Sequence, residues 1–184
     1  QEIGREPPIV VDLNGFGVGG YGPFLNGTLR ERLSRAKFAF DLEDTGDGAD
    51  YYKRRSRNAL DAVKDEWDGS LVHLNKLLHP KQMTFDDNGD ENDDLYEKSE
   101  NLRDGLSEWL ELKPLAVGKG RGLDIDRTLK EGRVVYVRAS ITDKLVKKAA
   151  TVMLMDLIQS IIRLGKQDHH VYFVCDELKF MVSD

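Results

Sequence analysis

The sequence predicts an α/β fold in which a parallel sheet is interrupted by a block of helices. Short runs rich in β-branched and aromatic residues stand toward both ends of the chain, at Ile9-Val10-Val11, Val134-Val135-Tyr136-Val137 and Val171-Tyr172-Phe173-Val174-Cys175. Continuous apolar runs of that length are the pattern of strands buried on both faces. Between the first two runs the apolar residues recur at helical spacing instead. Between the last two lies one long amphipathic stretch, and strand, helix, strand with a short return is a βαβ unit, which implies parallel pairing.

In order along the chain, Pro7-Pro8 introduces the first strand, and a glycine-rich loop follows it to about Gly22. Thr28 with Glu31 three residues on is a capping box opening a helix with Leu29, Leu33 and Ala36 on one face. The Asp44–Gly48 cluster ends that helix. Tyr52, Leu60, Val63 and Trp67 share a stripe of a second helix, whose other face carries Lys and Arg. Asp68-Gly69-Ser70 is a break, and a shorter helix with Leu71, Leu74, Leu77 and Leu78 closes at Pro80. The chain is loop-like through Asn88-Gly89-Asp90, then helical again with Leu95, Leu102, Leu106, Trp109 and Leu110 on one face. After the strand at Val134–Val137, Thr142 or Asp143 caps a helix from about Lys144 to Leu164, and Gly165 stops it. Its wide apolar side suits a helix covering a sheet. The organisation is therefore residues 1–22 (strand and loop), 23–115 (helical block) and 116–184 (return to the sheet).

Composition narrows the function classes. The 184 residues carry 27 Lys plus Arg and 33 Asp plus Glu, a formal charge of −6, with 40% hydrophobic and 33% charged residues. These proportions exclude wholesale disorder and a disulfide scaffold, and the negative balance argues against a generally basic nucleic-acid binder. One cysteine, Cys175, makes no internal disulfide, so a reducing compartment is expected. No apolar stretch reaches the roughly 18 residues that span a bilayer, and no signal peptide opens the chain. The charge is uneven: Asp86 to Glu108 holds ten acids and two bases, −8 in that window, leaving +2 elsewhere. Lys53, Arg54, Arg55 and Arg57 place four bases within five positions. Each cluster reads either as a solvated helix face or as a docking surface. The bases would face a nucleic-acid backbone or an acidic partner, and Asp90, Asp93, Asp94 and Glu97 a basic one.

The sharpest chemical feature is Val171 to Glu177, an apolar strand ending in Cys175 and two adjacent carboxylates. Ligands of α/β sheets bind at the carboxyl ends of the strands. A P-loop ATPase places one acid there to hold Mg²⁺, and many motors use a second to polarise the attacking water. Asp176 would be the metal-side acid and Glu177 the catalytic base; the competing reading is two acids at the start of the next helix. No Gly-x-x-x-x-Gly-Lys-Ser/Thr phosphate loop occurs in the sequence, so the chain alone is not expected to hydrolyse ATP. Gly118-Lys119-Gly120-Arg121-Gly122 has neither the preceding strand nor the following hydroxyl. Gly15-Phe16-Gly17-Val18-Gly19-Gly20 fits Gly-x-Gly-x-x-Gly after a strand, with Asp41 and Glu43 about twenty residues on, the outline of an NAD(P) fingerprint. Gly22-Pro23 stands where its helix should begin, which favours a plain glycine loop. His73, His79, His169 and His170 lack a metal-site spacing, and one cysteine excludes a zinc ribbon.

Leu123-Asp124-Ile125, then Glu131 to Arg138, then Val171 to Leu178 with Asp176-Glu177, is similar to the type IV secretion coupling proteins, the TraD/TraG-type conjugative DNA-transfer ATPases. Gly20-Tyr21-Gly22-Pro23-Phe24-Leu25 resembles that family's aromatic-x-Pro-Leu turn, and Ala49-Asp50-Tyr51-Tyr52 the start of a helix in its all-α domain. The resemblance implies a RecA-like P-loop NTPase sheet, present in part, with an all-α domain inserted between Walker A and Walker B. It implies ATP and Mg²⁺, with Asp176 on the metal side and Glu177 catalytic. It also implies a hexamer at the cytoplasmic face of the bacterial inner membrane. Its partners would be a relaxase or relaxosome with its DNA, effector proteins and other type IV secretion components. The sequence departs from the pattern in lacking the Walker A loop, and it stops at Asp184, before the family's downstream motor motifs and arginine finger would be expected. The two rival classes are an NAD(P)-dependent oxidoreductase using Gly15–Gly20 and a non-catalytic helical interaction module.

Overall fold

A computed structural model describes residues 6–15, 19–43, 50–79, 95–140 and 142–174. Strands β1 (Ile9–Asp12) and β2 (Val135–Arg138) pair in parallel, with Ile9 opposite Val135 and Asp12 opposite Arg138. The Ile9 N–H donates to Val134 O at 2.9 Å and the Leu13 N–H to Arg138 O at 2.9 Å, extending the ladder one step at each end. Parallel neighbours need a crossover connection, and here that crossover is the helical block.

The block begins with α1 (Leu29–Ala39), opened by the expected capping box: the Glu31 N–H donates to Thr28 Oγ1 and the Thr28 N–H to Glu31 Oε2. Helices α2 (Asp50–Val63), α3 (Leu71–Leu77) and α4 (Glu100–Glu111) follow, with a helical turn over residues 95–98 before α4. The α2 helix ends earlier than its apolar stripe suggests. Trp67 is buried from the turn beyond it, with its indole N–H donating to Ser70 O at 2.8 Å. Lys113–Leu115 makes a 3₁₀ turn around Pro114. Helix α5 (Ile125–Glu131) stands where the sequence suggests only a connection. The Asp124 carboxylate accepts from the Arg127 N–H at its start, and Gly132 at φ +62° closes it in the left-handed conformation that glycine favours. Helix α6 (Lys144–Leu164) has its Asp143 cap and Gly165 stop as expected.

Phe24 joins these helices. Its ring lies 5.8 Å from Phe40 at the end of α1, 5.5 Å from Trp67 and 6.0 Å from Trp109 of α4. Tilted aromatic pairs at such separations add to the burial of their large surfaces. Gly69, at φ +94°, lets the chain pass against this residue, since a Cβ there would collide with Phe24 O. Helix α6 packs on α1 and α5, and α4 on α2 and α3. The buried apolar residues form one cluster from Val11 through Trp109 to Met153.

The expected third strand is corrected. Val171–Val174 carries no strand and is exposed throughout, Tyr172 at 83% and Val174 at 92%, while Cys175 lies outside the described residues. The β propensity of such a run expresses packing against neighbouring strands, and the described sheet is the β1–β2 pair. Leu106 is fully buried, whereas Ile162 on the outer face of α6 is 75% exposed. Leu106→Ala is therefore expected to lower unfolding stability by ~2–5 kcal/mol in urea titration, and Ile162→Ala by less than ~0.5 kcal/mol. Equal losses would contradict this packing.

Candidate functional site

The carboxyl ends of the two strands meet in a small polar constellation. Asp12, the last residue of β1, is buried, and its Oδ1 accepts from the Asn14 backbone N–H at 3.0 Å and the Asn14 amide at 3.1 Å. Asn14 Oδ1 in turn accepts from the Ser140 N–H at 2.7 Å, and Arg138 Nη1 lies 3.9 Å from Asp12 Oδ2. The Ser140 and Thr142 hydroxyls are 2.9 Å apart. This edge is where α/β sheets bind ligands, and it offers a carboxylate, a guanidinium and two hydroxyls. Among the described residues no group of three or more His, Cys, Asp or Glu side chains is placed to hold a metal ion. The described residues also supply no Gly-Lys-Ser/Thr cradle for a triphosphate, so they do not by themselves fit ATP with Mg²⁺.

Asp176 and Glu177 lie outside the described residues, as do Asp90, Asp93 and Asp94. Glu97 is exposed on the helical turn at 95–98. Lys53, Arg54, Arg55 and Arg57 are the fourth to eighth residues of the fourteen-residue α2, so the basic cluster lies along the first half of one helix. The dinucleotide reading meets an obstacle. The chain from Gly19 to Thr28 is not helical, and the next helix starts at Leu29, so no helix N-terminus stands behind the glycines to receive a pyrophosphate. Asp41 is exposed and pairs with Lys148 at 2.6 Å. Among the histidines, His73 Nδ1 accepts from the Asp68 N–H at 3.1 Å, a local contact at a helix start.

Two polar clusters correspond to no sequence motif. Asp156, on the covered face of α6, and Arg35, on α1, are both at 0% side-chain exposure and lie 3.1 Å apart. The Asp156 carboxylate also accepts from the Tyr21 hydroxyl at 2.9 Å and the Asn26 amide at 3.2 Å. Arg35 donates to Pro23 O at 2.9 Å, to Asn26 O at 2.6 Å and to Gln159 Oε1. Burial pushes the Asp156 carboxyl above its usual range against the pull of Arg35, and burial beside that carboxylate pushes the Tyr21 hydroxyl well up. The sequence carries one signal of this pair, as Asp156 is the only acid between Lys144 and Leu164 and interrupts an apolar face. The second cluster centres on Arg163, which donates to Asp126 at 2.5 Å and to Glu31 at 2.5 Å, joining α6 to α5 and α1. Desolvation raises both carboxyls, but the Thr28 N–H and Arg163 more than offset it at Glu31, and Arg163 with Ser160 at Asp126, so both sit below the usual range.

The outgoing and returning chains also touch. The Tyr21 N–H donates to Pro114 O at 2.8 Å, and the Leu123 N–H to Gly20 O at 2.7 Å. Entry to the helical block and exit from it thus form one hydrogen-bonded neck beside the sheet. Among the described residues no helix is long and apolar enough to cross a membrane. Compared with protein-family models, curated proteins and solved structures, the chain matches none of them.

Both clusters can be tested by substitution. Asp156→Asn preserves shape but leaves the Arg35 charge buried without its counter-ion, and is expected to cost ~3–5 kcal/mol. The Arg35→Met/Asp156→Leu pair should recover most of that loss in denaturant titration, and a pair as unstable as the single variant would contradict the assignment. For Arg163 the sign is set by the lowered carboxyls: their contribution is complete above the unfolded value of ~4 and is lost as pH falls through the lower folded values. The stability difference between the unmodified chain and Arg163→Met, about 1–2 kcal/mol for such partly exposed pairs, should hold at neutral pH and shrink on acidification. A difference independent of pH would show that the ion pairs contribute nothing.

Proposed function

We propose that this chain is part of a conjugative or type IV secretion coupling ATPase, which recruits relaxase–DNA or effector substrates and powers their translocation by ATP hydrolysis. The observation that carries the reading is the neck. Two parallel strands, Ile9–Asp12 and Val135–Arg138, are neighbours although a helical block separates them in sequence. The Gly20–Tyr21 and Pro114–Leu123 segments bond to each other where that block leaves and returns. A helical domain inserted into a RecA-like sheet would have this connectivity, and the aromatic-x-Pro turn of the resemblance, Tyr21-Gly22-Pro23, sits in the neck. The sequence resemblance at Leu123–Arg138 supports the same reading, whereas that at Val171–Glu177 rests on sequence alone, since Val171–Val174 forms no strand. Such a protein would work with ATP and Mg²⁺ as a hexamer at the cytoplasmic face of the inner membrane, and it would need a phosphate loop that this sequence does not contain. Asp176 would stand on the metal side and Glu177 would polarise the attacking water. The helical block would carry cargo recognition through its acidic and basic segments, because appended elements can vary without disturbing hydrolysis geometry.

The oxidoreductase alternative is disfavoured by the non-helical run from Gly19 to Thr28. A pure interaction module is separated by one substitution. Glu177→Gln in the full-length protein is expected to lower ATP turnover by about 10²–10⁴-fold, the contribution of a positioned general base, with nucleotide binding retained. Turnover unchanged by Glu177→Gln would sink the motor reading.

A further inference from the structure

The ties between the helices are unevenly distributed. Among the described residues, the ion pairs that bridge distant parts of the chain gather on one side of the molecule. From α1 and its end, Glu31 reaches Arg163 of α6 at 2.5 Å, Arg35 reaches Asp156 at 3.1 Å and Asp41 reaches Lys148 at 2.6 Å. Arg163 also holds Asp126 of α5 at 2.5 Å, and Arg138 of β2 faces Asp12 of β1. These contacts run from the first turn of α1 to the residue after its C-cap, so α1 is fastened to α6 along its whole length. By contrast, α2, α3 and α4 meet this body through aromatic rings. Phe24 and Phe40 stand on the body side and Trp67 and Trp109 on the other, with centroids 5.5, 5.9 and 6.0 Å apart across the joint. The Trp67 indole N–H is satisfied on its own side, by Ser70 O. Leu60, Leu71, Leu74, Leu102 and Leu106 are buried there, and α4 packs on α2 and α3, so these helices have an apolar core of their own.

We propose that α2, α3 and α4 form a lobe that turns as a unit on this ring joint against a body of sheet, α1, α5 and α6, so that the boundary of the moving part falls after α1. Apolar contact is non-directional and scales with area, so the rings can slide on one another at little cost. Sliding α1 on α6 would instead separate three charge pairs, one of them at 0% exposure on both sides. The neck is no pivot, because the Tyr21–Pro114 and Gly20–Leu123 hydrogen bonds close it on the body side. Hinge motions turn on a few residues between packed units, and the four rings meet that description. In the ATPase proposed above, the lobe would carry the basic cluster of α2, while α6 leads in sequence toward Glu177 in the body. A bound cargo could then reorient without disturbing the hydrolysis geometry. That use rests on the ATPase reading, whereas the lobe boundary does not.

The test is measurement of backbone amide residual dipolar couplings for the unmodified chain in a dilute aligning medium, without ATP. The couplings of α1, α5 and α6 are expected to fit one alignment tensor, and those of α2, α3 and α4 a second of different magnitude. The chain has two tryptophans, Trp67 and Trp109, and both lie at the joint, so their fluorescence gives a second readout. Phe40→Leu keeps an apolar side chain but removes one ring. It should raise acrylamide quenching of the tryptophans and widen the gap between the two tensors, with exchange of the α1 and α6 amides unchanged. No nucleotide is present, so a failure here is read apart from a failure of ATP turnover. The proposal is overturned by one tensor that fits all six helices, by α1 couplings that follow the lobe, or by quenching and couplings in Phe40→Leu like those of the unmodified chain.

Discussion

A buried guanidinium–carboxylate pair, Arg35 with Asp156, sets the arrangement of the chain between the sheet and the helices. Removing either charge from water costs several kcal/mol, which the ion pair and its hydrogen bonds offset, although Asp156 Oδ1 faces Arg35 with no hydrogen bond of its own. Arg35 therefore needs the carbonyls of Pro23 and Asn26 as well as Asp156, and Asp156 needs the Tyr21 hydroxyl and the Asn26 amide. Apart from the two charges themselves, each of these partners sits on the turn from Tyr21 to Asn26. A turn with no regular secondary structure is thus held in one geometry by polar groups from α1 and α6.

The rest of the fold follows from where that turn is pinned. Its N-terminal side bonds to the returning chain at Pro114 and Leu123, and its Phe24 ring reaches Phe40, Trp67 and Trp109. The same few residues close the neck and nucleate the aromatic centre of the helical block. Arg163 adds a second, more exposed tie across α6, α5 and α1, and because it holds the Glu31 and Asp126 carboxyls below their usual range its contribution is lost only on acidification.

Much of this frame is legible in the sequence, because local signals and tertiary packing agree there. The Thr28–Glu31 box, the Asp143 cap with Gly165, and the β-branched runs at Ile9 and Val134 each mark an element that forms, with strand limits shifted by one residue. Helix α5 goes unmarked by periodicity although Asp124 and Gly132 bracket it, since only Ile125 and Leu129 in it are apolar, whereas the equally short α3 carries Leu71, Leu74 and Leu77. Val171–Val174 shows the opposite failure: a strong strand pattern stays exposed without a neighbour to complete its ladder. The buried polar core is invisible to apolar periodicity, which treats Arg35 and Asp156 as gaps in a stripe. Of the candidate site, the basic cluster on α2 is legible as a run of charge. Asp176 and Glu177 remain statements about sequence, read from an apolar run that ends in paired acids.

Native-state hydrogen exchange, followed amide by amide, tests most directly whether the Arg35–Asp156 pair holds the two halves as one unit. The account predicts that the central amides of α1 and α6 open with the same free energy, and that Asp156→Asn lowers both by the same amount. Amides of α1 that exchange independently of α6, or that keep their protection in Asp156→Asn, would contradict it.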